Sequence, residues 1–182
     1  MRQHLISWEM LHRRTGRVIA MQFLYQCETL QAYDPERLPE FWQVWEDVVF
    51  PSPGNWEEWG AIIREEEKGW SHWGDIPLLA RKARRFAAHL VWGVLDHRET
   101  IDAAIAAASL HWSLHRMARV DRNVLRVATY ELLHEKETPR RVVINEAIEI
   151  GKRFGTSDSA AFINAILDRI AQEFPAEVPE EG

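Results

Sequence analysis

The sequence lacks the features that identify several large classes of protein. Only one of its 182 residues is cysteine, Cys27, which excludes a disulfide framework and suits a reducing compartment. No apolar run approaches the roughly 20 residues that a membrane-spanning helix needs. The first residues, MRQHLISWEMLHRR, have neither the apolar core nor the small-residue cleavage site of a signal peptide. These absences predict a soluble, cytoplasmic protein that does not enter a membrane.

Motifs for catalysis and nucleotide binding are also missing. The nine glycines are scattered, and neither G-x-G-x-x-G nor G-x-x-x-x-G-K occurs, so no phosphate-binding loop is predicted. The one His-Glu pair, His134-Glu135, lacks the second histidine of a zinc protease. No serine stands in the strand-to-helix turn that exposes a catalytic nucleophile. The sequence therefore predicts neither an enzyme nor a metal or cofactor site.

Charge is unevenly distributed along the chain. In total, 22 Lys and Arg residues stand against 28 Asp and Glu residues, a formal net charge of −6. Residues 31–79 hold 11 acidic and 3 basic side chains, whereas residues 1–30 and 80–100 have local charges of +2 and +3. The two basic regions suit a polyanionic partner. A solvated helix surface is the alternative explanation for each of them.

Apolar residues recur at three- and four-residue steps through most of the chain, which predicts helices. The longest such pattern runs from about Ile76 to Glu99. Thr100 and Thr138 are the expected N-caps of two later helices, and Gly155 is expected just past the end of one. We therefore expect an all-α bundle without strands. Its predicted core includes Leu90, Val94, Val124, Val127, Ile144, Ile148, Ile163 and Leu167.

Tryptophan is concentrated in the acidic region. Six of the nine tryptophans form three pairs there, Trp42 with Trp45, Trp56 with Trp59, and Trp70 with Trp73. Pairs three residues apart suit short amphipathic helices, and we expect most of these rings to pack into the amino-terminal half. A protein-contact surface is the alternative, because tryptophan is enriched at interfaces.

Three strings in the second half carry a family resemblance: RVDRNVLRVATYELL, INEAIEIGKRFG and SDSAAFINAILD. Their order and spacing, together with the arginines near the amino terminus, resemble the NusB family of transcription antitermination factors. The similar regions are Arg13 to Glu28 and about Arg85 to Ile170. The resemblance implies a non-enzymatic, all-α, NusB-like bundle of about seven helices in two halves.

On this resemblance we expect a single domain over residues 1–182. Its amino-terminal half covers about residues 10–78 and contains an acidic, tryptophan-rich insertion at 31–79. The carboxy-terminal half covers about 80–173, and residues 174–182 form an acidic tail. The insertion is longer and more acidic than the linker that is usual in the family.

The family's function is to bind the boxA element of nascent ribosomal RNA transcripts together with the ribosomal protein NusE. That complex joins the RNA polymerase elongation complex with other Nus factors and suppresses premature termination. Two alternatives stay open: a protein-interaction module that uses the tryptophan-rich segment, and a detached accessory domain of an RNA methyltransferase. The chain end at Gly182 leaves no room for a methyltransferase's catalytic domain, which favours the antitermination function. A homodimer that masks the arginines is a further alternative.

The resemblance also implies particular site residues. The expected RNA-binding residues are Arg13, Arg14, Arg17, Lys152, Asp158, Ser159 and Phe162. The expected contacts with NusE are Tyr25 and Asp121. Arg13 and Arg17 are one helical turn apart, so both can project from one face, and a guanidinium offers forked donors to phosphate and a plane for base stacking. We therefore expect the three arginines to be exposed and not to be used in salt bridges to the acidic segment.

Each of these residues also has a purely structural interpretation. The arginines can neutralise the acidic segment, and Phe162 can belong to the core. Asp158 or Ser157 can be a helix N-cap, and Asp121 can pair with Arg126 or another neighbour on its own helix surface. Asn145 and Glu146 stand within an apolar run, where buried polar groups are expected to join helices rather than bind a ligand.

Overall fold

The computed structural model describes residues 2–42, 76–110 and 112–174, with side chains from residue 12 in the first range and from residue 81 in the second. These ranges contain seven α-helical segments and no strand. The segments are α1 (Arg2–Leu30), α2 (38–42), α3 (Ile76–Asp96), α4 (Arg98–Ala108), α5 (Arg119–His134), α6 (Arg140–Phe154) and α7 (Ser159–Glu173). Short 3₁₀ helices cover Pro35–Arg37 and Leu114–Arg116. Within the described residues, no helix is long and apolar enough to cross a membrane.

Helix α5 lies at the centre of the bundle and packs against α1, α3, α4, α6 and α7. Its residues from Asp121 to Leu132 are all buried, polar and charged side chains included. Because a buried charge is costly unless it is paired, this position requires partners for α5 on the neighbouring helices. Those partners define much of the candidate site.

Helix α1 packs closely along α3 at Gly16. A Cβ atom added there would lie 2.9 Å from the Ala83 carbonyl oxygen and 2.8 Å from a ring carbon of Phe86. Any side chain at this position would therefore force the two helices apart. The close approach places the arginines of α1 beside Phe86, with the guanidinium carbon of Arg13 5.1 Å and that of Arg17 5.5 Å from the ring centroid.

The predicted apolar phase is largely confirmed. Six of the eight predicted core residues are buried, and the other two, Ile144 and Ile148 on α6, are half-buried. Helical periodicity fixes which residues share a face, but it does not set how widely that face is covered. Helix α6 packs against α5 and α7, which leaves the edge of its apolar stripe partly open.

Two predicted helix starts are wrong. The pattern from about Ile76 to Glu99 is interrupted at His97, so α4 begins at Arg98, and the Thr100 hydroxyl donates backward to the His97 carbonyl. Helix α6 has Pro139 at its N-cap position, and the Thr138 hydroxyl instead accepts a hydrogen bond from Arg13 at 2.8 Å. Gly155 does follow the end of α6, as expected.

Trp42 is the only one of the paired tryptophans within the described residues. It is half-buried against the core and lies edge-to-face with Phe41, with the ring centroids 5.8 Å apart. Trp45, Trp56, Trp59, Trp70 and Trp73 lie outside the described residues. The division into two halves with an insertion at 31–79 therefore stays a prediction.

Candidate nucleic-acid interface

Arg17 forms a buried, bidentate ion pair with Glu131 of α5. Its Nε and Nη2 donate to the two carboxylate oxygens at 2.7 and 2.8 Å, and the two residues are only 3% and 1% exposed. The guanidinium also lies 3.9 Å from a carboxylate oxygen of Glu146. Forked pairs of this kind are the strongest that arginine makes in a protein interior. The pair therefore joins α1 to the centre of the bundle.

The predicted exposure of Arg17 is thus wrong. One turn of helix separates it from Arg13, as expected, but that face of α1 is turned toward α3 and α5 rather than toward solvent. Arg17 would have to leave a buried carboxylate behind in order to reach RNA, which is unfavourable. In the structure, Arg17 instead holds α1 in position against α5.

Arg14 and Arg13 lie farther out on the same helix. Arg14 donates through Nε and Nη2 to both carboxylate oxygens of buried Glu146, each at 2.8 Å, and 41% of its side chain is exposed. Arg13 donates to Thr138 and to Glu137 at 3.1 Å, with 30% of its side chain exposed. The acids that they bond belong to α6 and the loop before it. Most of the acidic segment at 31–79 lies outside the described residues, so the expectation that the arginines form no salt bridges to that segment stays a prediction.

Glu146 confirms the structural interpretation of the apolar run on α6, because it is buried and holds Arg14. Its neighbour Asn145 is exposed, so the same interpretation is wrong for Asn145. Glu131 is a residue that the sequence reasoning missed. It follows Val124 by seven residues and Val127 by four, which places it on the inward face of α5. An acid at that position is a signal for a buried cation from another helix.

A second buried polar cluster joins the end of α1 to α5 and α4. Glu28 accepts hydrogen bonds from Arg122 and, at 2.8 Å, from Asn123. Arg126 donates to both carboxylate oxygens of Asp102 at 2.8 and 2.9 Å. Burial disfavours the charged form of Arg126, but the hydrogen bonds and charge of Asp102 hold its pKa above the usual value. This cluster pairs two buried arginines with carboxylates of other helices.

The two residues expected to meet NusE differ in exposure. Tyr25 is exposed on α1, as a contact residue must be. Asp121 is buried, and within the described residues its Oδ1 has no hydrogen-bond partner. The alternative pairing of Asp121 with Arg126 is wrong, because Arg126 holds Asp102. A partner contact at Asp121 stays a prediction, and it requires a local opening.

The start of α7 contains three of the expected RNA-binding residues. Asp158 occupies the N-cap position without a capping hydrogen bond from its side chain, and it is exposed. Ser159 is buried, and its Oγ accepts a hydrogen bond from the backbone N–H of Thr156 at 2.8 Å. The side chain of Ser159 therefore closes the turn before α7, which contradicts a direct RNA contact by its hydroxyl.

Phe162 is half-buried, and both interpretations of it are met in part. It packs against the core and also lies edge-to-face with Trp112, with the ring centroids 6.2 Å apart. Trp112 is exposed, and the guanidinium of Arg116 lies 5.9 Å from its ring. The sequence reasoning missed Trp112 because it stands in the connection between α4 and α5, where periodicity gives no signal. Lys152, another expected RNA contact, is exposed and paired with Glu149 at 2.7 Å.

The chain is similar to known proteins in both sequence and fold. The sequence profile of the NusB family matches residues 61–172. The transcription antitermination protein NusB of Myxococcus xanthus is 40% identical over 159 residues, which are 87% of this chain and 94% of that protein.

Two solved structures have the same fold. NusB of T. maritima has a TM-score of 0.63 at 35% identity and covers 90% of this chain and 93% of its own. A chain from the crystal structure of antitermination factors NusB and NusE in complex with dsRNA has a TM-score of 0.57 and covers 90% and 98%. At 21% identity, that second likeness shows the fold alone. Together they confirm the predicted all-α, NusB-like bundle.

Proposed function

Because this chain belongs to the NusB family, we propose that it is an RNA-binding transcription antitermination factor. With the ribosomal protein NusE it binds boxA RNA of nascent ribosomal RNA transcripts. The complex joins the RNA polymerase elongation complex, with other Nus factors, and helps the polymerase avoid premature termination. The chain acts in the cytoplasm by binding, without catalysis. The observation that carries the proposal is the similarity to a NusB antitermination protein over 87% of this chain.

The structure divides the expected RNA-binding residues by accessibility. Arg13, Arg14, Asp158 and Phe162 are at least partly open to solvent and remain the proposed RNA contacts, together with Lys152. Arg17 and Ser159 position these contacts without being exposed themselves. Arg17 fixes α1, and Ser159 closes the turn before α7. Two bonds to Glu146 fix the plane of the Arg14 guanidinium, which lowers the entropy that RNA binding must overcome.

A titration of fluorescently labelled boxA RNA tests the proposal. We expect the chain together with NusE to bind boxA RNA more tightly than a scrambled RNA of the same length and composition. The two accessible arginines, Arg13 and Arg14, supply little affinity alone, so binding in the absence of NusE is expected to be weaker. Equal affinity for boxA and scrambled RNA, with NusE present, would remove the proposed specificity.

Arg14 allows a test at a single side chain. Its replacement by alanine alone would strand the buried Glu146 carboxylate and destabilise the fold. The matched pair of variants is therefore Glu146→Gln and Arg14→Gln/Glu146→Gln, measured in the same RNA titration. We expect the double variant to bind boxA RNA about 1–3 kcal/mol more weakly if Arg14 reads a base.

The single Glu146→Gln variant is the control for this measurement. It keeps the guanidinium and removes the competing negative charge, so its RNA affinity is expected to equal or exceed that of the wild type. A double variant that binds as tightly as the single variant would exclude Arg14 from the RNA interface.

A further inference from the structure

Helix α3 presents a row of positive charge that the family resemblance does not account for. Arg81, Lys82 and Arg85 are all exposed. None of the three has an ion-pair or hydrogen-bond partner among the described residues, in contrast to Arg13, Arg14 and Arg17. Much of the positive charge of Arg13, Arg14 and Arg17 is thus paired with acidic side chains of the protein itself. On α3 it is available to solvent.

The spacing of these residues defines a stripe along α3. Arg81 and Arg85 are four residues apart, and Trp92 follows Arg85 by seven, so all three lie on one face of the helix. At a rise of 1.5 Å per residue, the stripe from Arg81 to Trp92 is about 16 Å long. Trp92 is 52% exposed, which is unusual for so large an apolar side chain in a packed helix.

The stripe begins near Arg13 of α1. Phe86 directly follows Arg85. The guanidinium carbon of Arg13 lies 5.1 Å from the centroid of the Phe86 ring. Lys82 is one turn before Phe86 on the same side of α3. Lys82 therefore lies between the contact of Arg13 with Phe86 and the stripe itself, so positive charge links the outer part of α1 to α3.

Among the described residues, few negative groups stand near the stripe. His89, on the same side of α3, bonds Glu135 at 2.6 Å, and Asp96 stands exposed at the end of the helix. Both lie beyond Arg85 toward the carboxyl end. Within the part of the chain that the structure describes, the first turn and a half of the stripe therefore has positive charge without a negative partner.

We propose that Arg81, Lys82, Arg85 and Trp92 form a second RNA-contacting surface that carries the strand onward from Arg13. Arginine and lysine suit the phosphates, and an exposed indole stacks on a base of any identity. This inference rests on the proposed function and assigns to α3 a sequence-independent share of RNA affinity. An acidic protein surface would match the cations, but it would leave the exposed indole without a stacking partner.

The test is the RNA titration with the variant Arg81→Gln/Arg85→Gln, in the presence of NusE. Glutamine keeps helix propensity, and the replaced charges are exposed and have no partner in the described part of the chain, so folding is expected to be unchanged. We expect affinity to fall about tenfold at 0.15 M salt, and the slope of log K against log[salt] to become shallower by about 1.4 for two lost phosphate contacts. Because phosphate contacts do not read sequence, scrambled RNA is expected to lose affinity by the same factor.

The control variant Arg119→Gln/Arg141→Gln removes the same charge from exposed arginines on α5 and α6 that have no side-chain partner within the described ranges. Its NusE binding is checked separately, and its RNA affinity is expected to change less than threefold. If wild type binds boxA RNA and the α3 variant binds it equally, or if the control loses as much, α3 is not an RNA surface and the proposed function stands. If wild type with NusE binds no RNA, both proposals are overturned.

Discussion

Replacing Arg17 by alanine is expected to lower the free energy of unfolding by about 3–5 kcal/mol. The substitution leaves the Glu131 carboxylate, which is 1% exposed, without its bidentate partner at the centre of the bundle. Glu146, 3.9 Å from Arg17, would lose a second positive neighbour. Urea denaturation followed by circular dichroism measures the change. A loss below about 1 kcal/mol would show that the pair is not buried as described.

Two further variants identify the source of this cost. Replacing both partners, Arg17→Met/Glu131→Leu, removes the stranded charge and is expected to recover most of the lost stability. Glu137→Ala breaks the exposed pair with Arg13, in which 77% of the Glu137 side chain is open to solvent, and is expected to cost less than about 0.5 kcal/mol. A double variant as unstable as Arg17→Ala would attribute the loss to packing rather than to charge.

Replacing Glu28 by alanine is expected to cost about 3 kcal/mol, the lower end of the range for a broken buried pair. Arg122 then keeps only backbone acceptors, the carbonyls of Leu114 and Met117. Arg126 keeps both of its bonds to Asp102, which limits the loss. The same denaturation experiment measures it.

Glu28→Gln is the matched control for that variant. It retains an acceptor for the Asn123 amide, which bonds Glu28 at 2.8 Å, but removes the charge. We expect its free energy of unfolding to lie between that of the wild type and that of Glu28→Ala. Equal stability of Glu28→Ala and wild type would mean that Arg122 needs no carboxylate, contrary to its burial.

The fold could be predicted from the sequence because helices leave a repeating signal. Val124 and Val127 on α5, and Ile163 and Leu167 on α7, follow three- and four-residue steps and are buried as expected. Helix starts were less predictable, since Thr100 and Thr138 have the right chemistry for N-caps but stand one or more residues from the actual starts. A hydroxyl next to a helix can serve a neighbouring helix instead, as Thr138 does for Arg13.

The candidate site was predicted in composition but not in accessibility. Spacing places Arg13 and Arg17 on one face of α1, but it cannot reveal that this face meets Glu131, which is 114 residues away in sequence. Local patterns specify which residues lie together on one helix, and tertiary packing decides what covers them. Acids at inward positions of α5 and α6 are the available signal that some arginines are structural. Arg81, Lys82 and Arg85 of α3 were visible as charge, but their lack of partners among the described residues was not.

Transcription in vitro through a terminator tests the central claim most directly. The template carries boxA upstream of the terminator, and RNA polymerase, the other Nus factors and NusE are supplied with and without this chain. We expect addition of the chain to raise the fraction of transcripts that pass the terminator, and we expect that rise to vanish when boxA is scrambled. Readthrough that does not respond to the chain, or responds equally on both templates, would contradict its assignment as a boxA-dependent antitermination factor.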